Sequence, residues 1–401
     1  QLGVSPVVVP VDAYPAVRAA YAAWDGPAGS CDPDAANAVV AAINREIIDP
    51  RRAQFEHIVF LGGDELIPMA RLHDGTLVAN EYDFRDEFDG DLAGGPGSAR
   101  NAATASFWES MILSDEPYGD TAARSTGHGY LYVSDTALGR VVETPDEIVD
   151  ALDTFVSFGG NLSIEAATVL GYDFLTDGSV AVADDLAAAG LPVDRDLQSG
   201  VNLGGTAWDA ADATTELAQA GTRALISLNA HFDHYRALPA VGDKVPGFDD
   251  NLIATEGAST LGPEALAQSL VFSMGCHSGF SVSDVLVGTT NADWAQTLSQ
   301  QEALFVGNTG FGYGDTETVA YTEELMRLFA DRVTSPFALP LGPSTSSSTV
   351  GQALTWAKND FVAGLQSFSV YDEKAVMEST FYGLPFYRVG LTPEALPPAP
   401  S

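Results

Sequence analysis

The chain has 401 residues, 46% of them hydrophobic, which is enough for one large domain or two ordinary ones with a substantial core. Its 55 acidic and 18 basic residues give a formal net charge of −37, and such a surface repels nucleic acid and anionic membranes. No apolar run approaches the roughly 18 residues of a membrane-spanning helix, so no span is predicted. The chain begins with Gln1, and we expect a fragment or processed form whose targeting signal lies outside it.

The acidic charge has three candidate causes: adaptation to high salt, cation binding, or a preference for basic partners. Acidic residues are spread along the whole chain, and only three basic residues are lysines. This even spread favours salt adaptation, because molar salt screens self-repulsion within a few ångströms.

Apolar runs typical of buried strands alternate with helical patterns along the chain. Strands are predicted at 57–63, 130–133, 166–173, 223–231, 269–276 and 303–308. Helices are predicted at 144–158, 180–190, 209–220, 263–268, 317–332, 349–363 and 372–381. The helix at 144–158 has the clearest start, with Thr144 as N-cap, Pro145 at the first position and Glu147 at the third. Continuous apolar strands separated by helices predict an α/β fold with a doubly wound, mostly parallel sheet.

The pattern divides into two blocks and a tail. Residues 1–160 form a smaller N-terminal α/β subdomain that contains an acidic, glycine-rich insertion at 80–99. Residues 161–390 hold the four strongest strands and form the catalytic subdomain. Residues 391–401 are rich in proline and are predicted to be a C-terminal linker.

Three strands of the second block end in residues that can take part in chemistry. These residues are Asp173, His231 and Cys276. In an open parallel sheet, ligands bind outside the carboxyl ends of the strands. A thiol and an imidazole that meet at this edge provide what nucleophilic catalysis needs: a nucleophile and a base within reach, with backbone amides nearby for the oxyanion.

The residues around Cys276 suit a nucleophile. Gly275 leaves the backbone before the sulfur unobstructed, and Ser278 and Gly279 permit a tight turn that leaves the Cys276 amide free to donate. A free thiol has a pKa of about 8.5 and needs a nearby histidine or helix N-terminus for activation. The alternative is that Cys276 is a small buried hydrophobic residue. Cys31 lies in a turn that leads into a helix and is interpreted as incidental.

The histidines allow a second interpretation. His231 and His234 lie three residues apart with an aspartate between them, and with His277 they could bind zinc. The sequence has no H-E-x-x-H motif and no further cysteine near them to support such a site. His128 is another candidate base, although it precedes a strand, whereas His57 and His73 have no evident partner.

The sequence resembles the gingipain-like C25 family of the caspase-fold cysteine peptidase clan. Three segments carry the resemblance besides the His231 and Cys276 pair: "IVFLGGDELIPMAR", "YLYVSDTALGRVVETPDEIVDALDTFVSF" and "DEKAVMESTFYGLPFYRVG". Together they extend over nearly the whole chain in the family's order. The resemblance implies a caspase-like sheet and a cysteine peptidase with Cys276 as nucleophile and His231 as acid and base.

The resemblance also implies supporting residues. An acidic residue from an earlier strand supports the histidine, and Asp173 matches this position, with Asp177 in reserve. The amides of Cys276 and Phe232 form the oxyanion hole, although the family usually has glycine where Phe232 stands. Two other residues depart from the family pattern: His277 follows the cysteine, and Leu384 replaces the usual aspartate before a proline.

The family's specificity pocket lies after the strand that follows the nucleophile, here at 307–315. Phe311 and Tyr313 are predicted to line it, with Asp315 at its floor or capping the next helix, and Asp284 as second candidate. An acidic floor selects Arg or Lys on the acyl side of the cut. The family often binds calcium, for which the acidic segment 83–91 could supply oxygen ligands. Its spacing is not that of an EF-hand, and the alternative is a solvated acidic loop. No organic cofactor is required.

These observations predict a cysteine endopeptidase that acts on peptides or proteins, with its oligomeric state left open. The alternatives are an inactive caspase-fold module that binds a partner or a surface, and a zinc hydrolase that uses His231 and His234. The resemblance places the protein outside the cell or on its surface, in a prokaryote.

Overall fold

The computed structural model describes residues 4–27, 29, 31–93, 102–127, 129–195, 197–200, 204–205, 208–238, 252–287, 291–334 and 348–391. In this part of the chain, no helix combines the length and apolarity that crossing a membrane requires. The predicted linker at 391–401 lies outside the described residues, except for its first residue.

The described helices are α1 (Pro15–Trp24), α2 (Pro33–Ile43), α3 (Glu81–Asp91), α4 (Ala102–Trp108), α5 (Glu116–Gly119), α6 (Pro145–Ser157), α7 (Thr176–Ala188), α8 (Ala210–Ala220), α9 (Ala254–Leu261), α10 (Trp294–Gln300), α11 (Thr322–Thr334), α12 (Val350–Gly364) and α13 (Val370–Glu378). The strands are β1 (His57–Leu61), β2 (Ala70–His73), β3 (Met111–Ser114), β4 (Arg124–Ser125), β5 (Tyr130–Leu131), β6 (Ala137–Val141), β7 (Asn161–Ile164), β8 (Ala166–Tyr172), β9 (Val193–Asp194), β10 (Gln198–Gly200), β11 (Gly204–Gly205), β12 (Ala224–Leu228), β13 (His231–Phe232), β14 (Arg236–Leu238), β15 (Leu252–Ile253), β16 (Leu270–Phe272), β17 (Leu304–Asn308), β18 (Ser379–Tyr382) and β19 (Arg388–Leu391).

A ten-stranded sheet organises the described residues. Its order is β1-β6-β18-β17-β16-β12-β8-β10-β11, with β9 paired to β8. All of its pairs are parallel except β17 with β18 and β10 with β11. This confirms the predicted α/β class with a mostly parallel sheet flanked by helices. Strands from both predicted blocks share the sheet, and the boundary near residue 160 stays a prediction.

Side chains of the central strands pack alternately on the two faces of the sheet, as the two-residue period of a strand requires. Leu270 and Phe272 of β16 lie in one core cluster, with residues of α7, α11 and α12. Val271 lies in the other cluster, with residues of α3, α8 and α10. Because both faces are covered, most side chains of these strands are apolar.

Most predicted elements agree with the structure, and the differences have a physical cause. The helix at 144–158 begins as predicted, since Thr144 and Glu147 form a capping box. Strand β6 was not predicted, because Gly139 and Arg140 interrupt its apolar pattern. Arg140 is fully buried nonetheless and bonds both oxygens of Asp115, at 2.7 and 2.9 Å.

Other predicted boundaries shifted. The predicted strand at 130–133 is limited to β5, which pairs only with β4 in a separate hairpin. The helix predicted at 263–268 is a turn, and the nearest helix, α9, ends before it. The helix predicted at 372–381 ends at Glu378, where the chain enters β18.

Candidate active site

Three adjacent parallel strands bring the predicted site residues to one edge of the sheet. β12 pairs with β8 on one side and with β16 on the other. Asp173 directly follows β8, His231 lies three residues beyond β12, and Cys276 lies four residues beyond β16. Because parallel strands in register end at the same edge, the sheet directs the segments that carry the three residues to one edge.

His231 and Asp173 are in contact. The Nε2 atom of His231 lies 3.3 Å from Oδ2 of Asp173, and both side chains are half-buried. The imidazole is flanked by the rings of Tyr172 and Phe174, whose centroids each lie 5.5 Å away. Asp173 has a φ of +52°, a left-handed conformation that aspartate adopts more readily than most residues. A carboxylate in this position can fix the orientation of the ring.

The segment that carries His231 packs directly on the cysteine turn. A Cβ atom added to Gly275 would overlap the Phe232 ring and lie 2.9 Å from the Ala230 carbonyl oxygen. Only glycine therefore permits this approach, since the two backbones are otherwise too close. Gly275 brings the residue before the predicted nucleophile against the residue after the predicted base.

We expect Gly275→Ala to destabilise the fold by about 1–3 kcal/mol and to reduce any cleavage sharply, because overpacking forces the two segments apart. Denaturant unfolding and turnover measure the two effects. Gly390→Ala is the matched control, since a Cβ atom there would meet nothing within 4 Å. Equal behaviour of the two variants would contradict the close approach at Gly275.

The Cys276 side chain is half-buried, and its thiol contacts the Gly312 carbonyl oxygen at 3.6 Å. Burial raises the pKa of this thiol to about 12; the Glu378 and Glu81 carboxylates add to the rise, while the Gly312 backbone and Lys374 oppose it. The resting group is therefore a neutral thiol and not a thiolate. The neighbouring Gly275 amide donates to Ser273 Oγ and the His277 amide to the Gly310 carbonyl, whereas the Cys276 amide has no acceptor among the described residues. This amide can donate to a substrate oxygen.

Among the residues that the structure describes, the other histidines do not form a metal centre with His231. His234 is 1% exposed between the rings of Phe88 and Phe280, and burial lowers its pKa to about 4. His277 is also buried and bonds Glu81. Within the described ranges, no group of three His, Cys, Asp or Glu side chains is arranged to hold a metal ion. His128, the other candidate base, lies outside the described residues.

The predicted specificity residues lie at different places around the site. Phe311 packs its ring on His277, at 4.6 Å, and the Tyr313 hydroxyl donates to the carbonyl of Ala79. Asp315 is exposed, and its carboxylate accepts from the amides of Glu317 and Thr318, at 2.8 and 3.0 Å.

Asp284 also lies on the surface, beyond the cysteine turn. Its amide donates to both carboxylate oxygens of Glu143, and its side chain lies 3.5 Å from the Gln296 amide.

An acidic pair, the buried Glu323 and the half-buried Asp177, lies next to the glycine-rich loop that contacts the thiol. Glu323 is fully buried, and a Cβ atom on Gly314 would lie 2.7 Å from its carboxyl carbon. Its Oε2 accepts from the amides of Asp315 and Ala320, and its carboxyl group shares a hydrogen bond with the carboxyl group of Asp177.

Burial raises the pKa of Glu323 to about 9; the Asp315 and Ala320 amides oppose the rise, and the neighbouring Asp177 adds to it. The sequence names Asp177 only as a reserve partner for His231 and gives no signal for Glu323.

The acidic segment 83–91 forms most of helix α3 rather than an open loop. Phe84 and Phe88 on this helix are buried and stack against each other. The aromatic face of helix α3 therefore packs into the core. The structural calcium site stays a prediction.

The fold is shared with solved cysteine peptidases. The crystal structure of the Arg-specific cysteine proteinase gingipain R superposes with a TM-score of 0.53 at 11% identity, covering 88% of this chain and 69% of that one. A complex of the pro- and mature domains of RgpB from Porphyromonas gingivalis superposes with a TM-score of 0.53 at 12% identity, covering 88% of this chain and 70% of that one. A Saccharomyces cerevisiae separase–securin complex superposes with a TM-score of 0.33 at 10% identity, covering 64% of this chain and 14% of that one. Scans against protein families and curated proteins find no match. The likeness to gingipain R establishes a caspase-like α/β fold for this chain.

Proposed function

We propose that this protein is a cysteine endopeptidase of the gingipain-like type, with Cys276 as nucleophile and His231 as acid and base. One observation carries the proposal: three adjacent parallel strands are followed, within a few residues, by Asp173, His231 and Cys276. The fold shared with gingipain R supports it, because that protein is a cysteine proteinase. Its partners are then peptides or proteins, and an extracellular or cell-surface location in a prokaryote stays part of the proposal.

The mechanism starts from a neutral thiol, because burial keeps the pKa of Cys276 high. His231 takes the thiol proton as the sulfur attacks the peptide carbonyl, and it then donates that proton to the leaving amine. Water, deprotonated by the same imidazole, hydrolyses the thioester. Asp173 orients the ring and stabilises the imidazolium.

The developing oxyanion needs donors aimed at its position. The Cys276 amide, which has no acceptor among the described residues, is the first donor, and Phe232 is proposed as the second. The removal of a single such donor costs about 10²–10³ in kcat in other acyl-transfer enzymes.

For specificity, we place the acidic end of the pocket at Asp177 and Glu323. The two carboxyl groups share a hydrogen bond whose proton a bound cation would displace, and they lie next to the loop whose Gly312 carbonyl contacts the thiol. Guanidinium and ammonium groups donate to carboxylates strongly, and this pair therefore suits Arg or Lys on the acyl side of the cut. Asp315 is the less favourable candidate, because its carboxylate already caps a surface turn.

Peptides that differ only in the residue before the cut test the function and the preference together. We expect cleavage after Arg or Lys, and a loss of about 10–100-fold in that preference in Asp177→Asn with Glu323→Gln, since each charged hydrogen bond contributes about 1.5–3 kcal/mol. The preference should grow as the pH rises towards 9, because Glu323 is protonated when the site is empty and a bound cation displaces that proton.

Asp315→Asn is the control, because it removes an exposed charge from the same loop and should leave the preference intact. Loss of the preference in this variant would move the pocket floor to Asp315. Equal cleavage after neutral residues by the unmodified protein would refute a basic pocket altogether.

The inactive binding module remains the second candidate, and one observation favours it. A neutral, half-buried thiol with a raised pKa is a poor nucleophile until a base acts on it. An unmodified protein that cleaves none of the peptides, yet folds, would support the module instead of the enzyme.

A further inference from the structure

The residue after the predicted nucleophile turns its side chain away from the site and into the core. His277 has a φ of +52° and is 1% exposed. Its ring stacks on Phe84 with centroids 3.6 Å apart, and its Nε2 lies 2.8 Å from Oε2 of Glu81. Burial raises the pKa of Glu81, but Lys374 and His277 outweigh burial and lower it to about 2. Glu81 is therefore ionised, and the Nε2 of His277 carries the proton that it donates.

The other oxygen of Glu81 holds a second segment of the site. Its Oε1 accepts from the Phe311 amide at 2.9 Å and from Lys374 Nζ at 2.7 Å. A Cβ atom on Gly310 would overlap this oxygen, so the loop backbone is pressed against the carboxylate. The same loop contacts the thiol through the Gly312 carbonyl. One buried carboxylate thus joins the cysteine turn to the loop that touches the sulfur.

Several charged groups face Glu81 from the elements packed around it. Lys374 and Glu378 lie on α13, and Lys374 also bonds Asp74 at 2.7 Å and lies 3.3 Å from the Tyr313 hydroxyl. Burial raises the pKa of Glu378 well above its usual range; Lys374 opposes the rise, and Glu81 and Asp74 add to it. Glu378 in this place favours its neutral form, and Lys374 bonds both Glu81 and Asp74.

Buried ion pairs contribute little net stability when they are compared with apolar residues of similar size. A cluster of buried charges of this kind can instead hold neighbouring segments in a fixed geometry. We propose that Glu81 is a positioning residue, which sets the place of the Cys276 sulfur by bonding His277 and the Phe311 amide at once. This inference rests on the proposed function in taking Cys276 as the nucleophile.

A double-mutant cycle tests the bond between Glu81 and His277. In a Cys31→Ala background, Glu81→Gln and His277→Asn should each lower kcat by about tenfold or more and change KM by less than about twofold, because substrate contacts remain while the sulfur is misplaced. The double variant should be no worse than the worse single variant, since both remove one interaction. Glu109→Gln, which removes an exposed charge just after helix α4, is the control and should keep the parental kcat.

A Glu81→Gln variant that folds and keeps the parental kcat would overturn the positioning role. If kcat of the double variant falls by the product of the two single losses, Glu81 and His277 do not act through one shared bond, and that part of the proposal is overturned. If Glu81→Gln does not fold, as near-ultraviolet circular dichroism would show, His277→Asn still carries the kcat test.

Alkylation provides a readout that does not require peptide cleavage. In the Cys31→Ala background, Cys276 is the only thiol, and its rate with iodoacetamide at pH 8–9 follows the thiolate fraction. The Glu378→Gln change prevents ionisation at position 378. Adding Glu81→Gln to it should raise this rate about twofold or more, because the half-buried sulfur is no longer held through His277 and the Phe311 amide and a carboxylate that opposes the thiolate becomes neutral. Glu109→Gln on the same background should leave the rate unchanged. An unchanged rate with Glu81→Gln would overturn the inference, whereas a protein that shows the rise but cleaves nothing would refute only the proposed function.

Discussion

Cys276→Ala should abolish peptide cleavage while leaving the fold intact. The change removes only the sulfur atom, and the half-buried side chain makes a single weak hydrogen bond, to Gly312. In other enzymes, loss of the nucleophile lowers kcat by up to about 10⁶-fold. Turnover of an Arg or Lys peptide and thermal unfolding measure the two effects.

Cys31→Ala is the matched control, because Cys31 is the other free cysteine and lies outside the site. It should retain full turnover. Cleavage by Cys276→Ala at the parental rate would remove the cysteine mechanism and leave the fold without an assigned chemistry.

His231→Ala should lower turnover by about 10²–10⁴-fold, the usual contribution of a positioned acid and base. The expected loss is at the upper end of this range, because the pKa of Cys276 is raised to about 12 and the thiol does not ionise unaided at neutral pH. Raising the pH should therefore restore part of the activity of this variant, as hydroxide replaces the missing base. A pH profile of kcat for the parent and the variant measures both effects.

His73→Ala provides the control for His231→Ala, since His73 is an exposed histidine at the end of β2. It should leave the pH profile unchanged. A variant at His231 with unaltered kcat would show that the contact with Asp173 is structural.

The strands that carry the candidate site could be predicted from the sequence because their signal is local. An apolar run bounded by turn residues identifies β8, β12 and β16 without knowledge of the rest of the chain. The residue at the end of each run is then known, and the parallel α/β class places such ends at one edge.

The charged groups that surround the thiol could not be predicted in this way. Glu81, His277 and Lys374 are far apart in the sequence, and each taken alone has the pattern of a surface charge or a turn residue. Arg140 shows the same difficulty, because its partner Asp115 is 25 residues away. Since a charged residue interrupts the apolar pattern, strand β6 was not predicted, although Arg140 is fully buried.

The sequence by itself determined the α/β class, the caps of helices such as α6, and the order of Asp173, His231 and Cys276 at the ends of three strands. Only the tertiary structure decided that Asp177 meets Glu323, that Glu81 joins the cysteine turn to the loop 309–315, and that the Cys276 thiol is neutral at rest. The physical reason is the range of the forces involved. Periodicity and capping depend on neighbours within a few residues, whereas the pKa of a buried group depends on desolvation and on charges that folding brings together.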